Sequence, residues 1–94
     1  MSPINKKKLN KIRNQLDKID NSLIKIIKKR TILVKKVLAL KENKRVDNKR
    51  INKILKRIKS KSIKNKIDAK ITRRIWINMI YAYIDYERRN FKKK

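Results

Sequence analysis

Between Leu9 and Leu40 the apolar residues recur at gaps of three and four, at positions 9, 12, 16, 19, 23, 26, 33, 37 and 40. The position that continues the series, 30, holds an arginine. A 3-4 spacing lays one apolar seam along a helix. The chain has no glycine, and its only proline is Pro3, so little interrupts helix formation. The pattern predicts a first helix over about 5–41, roughly 54 Å long at 1.5 Å rise per residue. A compact globule of this chain length has a radius of gyration of only about 12 Å. Such a helix protrudes with a wet seam and needs a partner, most simply a second copy of the chain.

The stretch 42–50, ENKRVDNKR, is polar and carries Asp47 and Asn48, both good N-cap residues. A second helix is expected over about 48–61, with Ile51, Ile54, Leu55 and Ile58 on one face. SKSIKNKID forms the next connection, and Asp68 is placed to cap a third helix over about 68–91. That helix aligns Ile75, Trp76, Met79, Ile80, Tyr83, Ile84 and Glu87 in a broad inward stripe. No internal repeat appears. The expected fold is all-α: a single domain over 1–94 with three helices per chain, the N-terminal one long, in an intertwined homodimer.

The polar residues on the apolar side of the first helix carry the functional signal. On a heptad wheel Arg13, Asp20, Ile27, Val34 and Lys41 share one position, beside the seam that contains Arg30. Arg13, Arg30 and Lys41 therefore all turn toward the apolar side. Lysine and arginine often snorkel from a seam edge, and one polar seam residue can simply fix register. Arg30 resists those accounts, because a mid-helix seam guanidinium without an anion is costly. Asp20 lies ten residues away, about 15 Å along the axis. An external anion solves the problem: cations in a dry interhelical cleft suit a small dicarboxylate, and the planar guanidinium fork matches a carboxylate. Arg13 and Lys41 are 28 residues apart, about 42 Å on one straight helix. If they share a site, Arg13 comes from a partner subunit crossing in the antiparallel sense.

Composition narrows the chemistry. The absence of cysteine and histidine removes thiolate nucleophiles, the commonest general base and the usual metal ligands. The absence of glycine removes phosphate-cradling loops. Lys, Arg, Tyr, Ser, Thr and a few carboxylates remain, and neither a metal nor a cofactor is expected. The net charge of +25 suggests a nucleic-acid footprint. However, the 23 lysines and nine arginines are spread over the whole chain, and lysine, isoleucine and asparagine share A/T-rich codons. A basic helical nucleic-acid-binding protein, with Trp76 and the tyrosines stacking on bases, is the alternative from another class. A purely structural coiled coil is a third reading; it explains the heptads but not the inward cations. The preferred reading expects no nucleic-acid partner. No long uncharged apolar run or secretory signal is visible, so a cytoplasmic chain without a membrane partner is expected.

The segment IRNQLDKIDNSLIKIIKKRTILVKKVLALK, the later Arg50, and RRIWINMIYAYIDYE resemble the all-helical (type II) chorismate mutases and the related isochorismate-pyruvate lyases. The resemblance covers about 9–91. Its N-terminal signature is Ile12-Arg13, Asp20, Arg30 and Lys41 at matching spacings. It implies a three-helix protomer in an entwined homodimer that binds chorismate and rearranges it to prephenate. The alternative is isochorismate-pyruvate lyase activity in the same pocket. It further implies that Arg13 reaches a substrate carboxylate from the partner subunit and that Arg30 holds the other carboxylate region from within the chain. Arg50 is the second-helix arginine of the pattern, and Tyr83 is taken as a further substrate-binding residue. Lys41 and Glu87 would flank the enolpyruvyl ether oxygen as the catalytic pair. Glu87 has to carry a proton to donate a hydrogen bond. Ile51 departs from the pattern, standing where many mutases place a glutamate for the substrate hydroxyl.

Overall fold

A computed structural model describes residues 2–41 and 46–90. All of its regular structure is helical: α1 (Pro3–Leu40), α2 (Asn48–Lys64) and α3 (Ala69–Asn90). The chain forms two compact units, Met1–Ala39 and Leu40–Lys94.

The first unit is the long helix. It starts two residues earlier than the periodicity predicts, because Ser2 caps it. The Ser2 Oγ accepts the Asn5 N–H at 3.2 Å, and the Ser2 carbonyl accepts Lys6 N–H at 2.9 Å. Pro3 takes the first helical position, where its missing N–H costs nothing and its fixed φ suits the helix. The seam is present and wet. No α1 residue is buried, and the exposed apolar side chains of the seam run from Leu23 at 49% to Leu40 at 84%.

The second unit holds the core. Asp47 caps α2, its carboxylate accepting the Arg50 N–H at 3.0 Å. Ile54 and Ile58 of α2 and Ile80 of α3 are buried together, with Ile51, Leu55, Trp76 and Ile84 packed around them. The apolar faces of the two helices thus meet as the spacing predicts, except at Ile75, which is 52% exposed. The α3 stripe is wider than the one helix of this unit that packs against it.

α2 runs three residues beyond its expected end, to Lys64, and stops in a Schellman arrangement. The Ile67 N–H reaches back to the Ser62 carbonyl at 2.9 Å and the Lys66 N–H to Ile63 at 3.1 Å. Lys66 takes the left-handed conformation, with φ 58°, a place glycine usually fills. Asp68 then caps α3, its Oδ1 accepting the Lys70 N–H at 2.8 Å. The corner is locked by a hydroxyl pair: Ser62 Oγ lies 2.6 Å from Thr72 Oγ1 and donates to the Ile58 carbonyl at 2.6 Å. Position 91, where the third helix was expected to end, lies outside the described residues.

Candidate active site

The ends of the helical run that flank the second unit's core bring two expected site residues together. Lys41 is the first residue beyond α1, and Glu87 lies in the last turn of α3. The Lys41 Nζ donates to Glu87 Oε1 at 3.0 Å across 46 residues of sequence. Helical spacing explains why Glu87 is there: it follows Ile80 by seven residues, Tyr83 by four and Ile84 by three, so it continues the stripe that faces the core. Its side chain is only 10% exposed, and that of Lys41 is 27% exposed.

A nearly buried carboxylate needs a cation or a proton. Lys41 supplies a charge-assisted bond of ordinary length. Arg89, two residues further on, does not fill that role, because its Nε is 3.2 Å from Asp85 Oδ2 in an exposed i, i+4 pair. That surface pair is of the kind worth only a few tenths of a kcal/mol. Tyr83 is half-buried one turn before Glu87 on the same face.

The remaining expected site residues are the three arginines. Arg50 is exposed in the first turn of α2, held in place by the Asp47 cap through its own backbone N–H. Arg13 is exposed and Arg30 half-buried on α1, in the first unit. Seventeen residues separate them, about 26 Å along one helix. A small molecule bound at one of these guanidinium groups does not reach the other of the same chain.

Two polar residues that the periodicity does not single out prove to be buried or half-buried, Ser62 and Thr72. The signal existed: Ser62 continues the i, i+4 series Ile54, Ile58 on the core face of α2. Both hydroxyls bond within the helix corner, which makes them structural.

Among the described residues no group of acidic side chains has the makings of a metal site, and no helix is long and apolar enough to cross a membrane. The arrangement offers a donor and a carboxyl on one apolar surface, suited to holding a polar oxygen of a ligand. The family model for chorismate mutase type II matches residues 12–88, a span that includes Arg13, Arg30, Lys41, Arg50, Tyr83 and Glu87. No curated protein and no solved structure gives a match.

Proposed function

The chain belongs to the chorismate mutase type II family, and we propose that the Lys41–Glu87 pair is the catalytic centre through which it performs that family's reaction. The reaction is the isomerisation of chorismate to prephenate in aromatic amino acid biosynthesis. The 3.0 Å contact between these two residues, distant in sequence and joining a lysine to a nearly buried carboxyl, carries the assignment.

The rearrangement is an intramolecular pericyclic shift. One carbon–oxygen bond breaks while one carbon–carbon bond forms, and no nucleophile or proton relay takes part. A chain without histidine or cysteine is therefore equipped for it. The protein has two tasks. It must hold a flexible dianion in its compact conformer, which is an orientation effect, and it must stabilise negative charge that grows on the ether oxygen, which is preorganised electrostatics.

Lys41 and Glu87 serve the second task. The ether oxygen accepts hydrogen bonds, so both residues have to offer it a donor. Lys41 does so as the ammonium. Glu87 does so in its acid form, once substrate has come between it and Lys41. Arg30, Arg50 and Tyr83 of one subunit, together with Arg13 of a second copy, serve the first task by holding the two carboxylates.

The wet α1 seam supports a homodimer. Eight exposed large apolar residues of the 3-4 series, from Ile12 to Leu40, lie on a helix with no buried residue. Three buried isoleucines among the described residues are a small core for a chain of this size. The axial separation of Arg13 from the end of α1 supports its donation across that interface. The family match runs through both compact units, which supports treating 1–94 as one domain. The reading keeps the chain in the cytoplasm and without a cofactor.

The direct test follows chorismate loss and prephenate formation by the purified chain, with isochorismate in parallel. Lys41→Ala should lower kcat by about 10²–10³, the usual loss for one preorganised donor, with helical content and assembly state retained. Near-wild-type turnover by that variant removes Lys41 from the catalytic centre. Release of salicylate and pyruvate from isochorismate, with chorismate untouched, reassigns the pocket to the lyase reaction.

A further inference from the structure

The basic residues are evenly spread along the sequence, but the fold sorts them. α2 carries eight cations, Lys49, Arg50, Lys53, Lys56, Arg57, Lys59, Lys61 and Lys64, and no carboxylate. All eight are exposed. None has an ion-pair partner among the described residues. Helical periodicity puts Ile54, Ile58 and Ser62 on one side, where they are buried. Lys49, Lys53, Lys56, Arg57 and Lys64 fall on the other side. They form a rigid ridge of positive charge about 22 Å long at 1.5 Å per residue. The corner that follows adds Lys66, Lys70, Arg73 and Arg74, all exposed, against Asp68 alone. The Asp68 carboxylate is engaged in capping α3.

We propose that the outer ridge of α2 binds the phosphate backbone of nucleic acid without regard to base sequence. The surface chemistry selects this occupant. An amphipathic helix binds a membrane by sinking its apolar side into the lipid, but here Ile54 and Ile58 are engaged with α3. An acidic protein partner is held mainly by an apolar or aromatic anchor at the centre of its interface, and the ridge has none. A phosphate backbone needs only closely spaced cations, and 22 Å faces about six phosphates of one duplex strand at 3.4 Å each. Four of the five ridge cations are lysines, compact charges that hold phosphate without the planar fork used to read bases. The ridge excludes Lys41 and Glu87, so the binding is separate from the mutase reaction.

The test measures binding of the full chain to a fluorescent 20-base-pair duplex of arbitrary sequence at several salt concentrations. The comparison set is K53Q/K56Q/R57Q/K64Q on α2 and K6Q/K7Q/K8Q/K11Q on α1, with far-UV circular dichroism confirming helicity in both. The wild type should bind with a steep salt dependence. The α2 variant should bind at least tenfold more weakly at 100 mM salt, and its log–log slope should be shallower by about 3.6, since each of the four lost phosphate contacts removes about 0.9. The α1 variant should keep the wild-type slope. The proposal is overturned if the wild type does not bind duplex at 50 mM salt. It is equally overturned if the α1 set loses as much as the α2 set, which makes the charge diffuse, or if phosphatidylserine vesicles capture the chain while duplex does not.

Discussion

At Glu87 a single side chain has to satisfy two demands. It sits on the core stripe of α3, 7% exposed as a residue, and accepts a bond from Lys41 at 3.0 Å. As a carboxylate it can only accept; as an acid it can donate to an ether oxygen. A glutamine at this position donates at every pH. Glu87→Gln should therefore keep turning over chorismate, while Glu87→Ala, which offers no donor, should lose about 10²–10³ in kcat. A glutamine variant as inactive as the alanine variant would remove Glu87 from the donor role. Replacing Glu87 by alanine is the harsher change, because it leaves Lys41 facing an apolar wall without its partner. The stripe spacing and the resemblance pointed to both Lys41 and Glu87 from the sequence. Their direct pairing did not follow from periodicity, since a helix pattern says which way a side chain turns but not which distant residue it meets.

Helix boundaries show the same division. Asp47 and Asp68 were legible as caps because a short acidic acceptor before an amphipathic run has a local role. The Ser2–Pro3 start is equally local, but the apolar seam begins later and the periodicity alone places the helix start at 5. The end of α2 depends on Lys66 holding φ 58° in a Schellman arrangement. Side-chain crowding makes that conformation costly for any residue with a Cβ, by roughly 1–2 kcal/mol. Lys66→Gly should relieve part of it and raise stability by about 0.5–1 kcal/mol, a Tm increase of several degrees. Thermal melts of the two proteins check this, and an unchanged or lower Tm would mean the turn is not strained. Ser62→Ala should cost about 1 kcal/mol, because it leaves the half-buried Thr72 hydroxyl with one fewer partner. Urea melts measure that loss.

For the assembled protein the question is where Arg13 acts. If it serves the site of the partner subunit, two inactive proteins repair one another. A heterodimer of Arg13→Ala with Lys41→Ala has one site with both native residues and one with neither. Equal mixing after denaturation and refolding should restore about a quarter of wild-type activity, because half the dimers are mixed and each has one working site. A mixture as inactive as its parents places Arg13 and Lys41 in the same subunit's site or outside it. Sedimentation at assay concentrations should show a dimer throughout, held by the apolar series of α1. A monomer with full turnover would contradict the whole assignment.

Local and periodic information was enough for three helices, the caps of α2 and α3, the faces those two helices bury, and the oddity of a cation in the seam at position 30. Those features depend on residues a few positions apart, coupled by the turn of one helix. Tertiary structure was needed to put Lys41 within 3.0 Å of Glu87 and to leave Ile75 exposed. Each of these depends on which surfaces are covered by packing, a relation between segments tens of residues apart that no local spacing encodes.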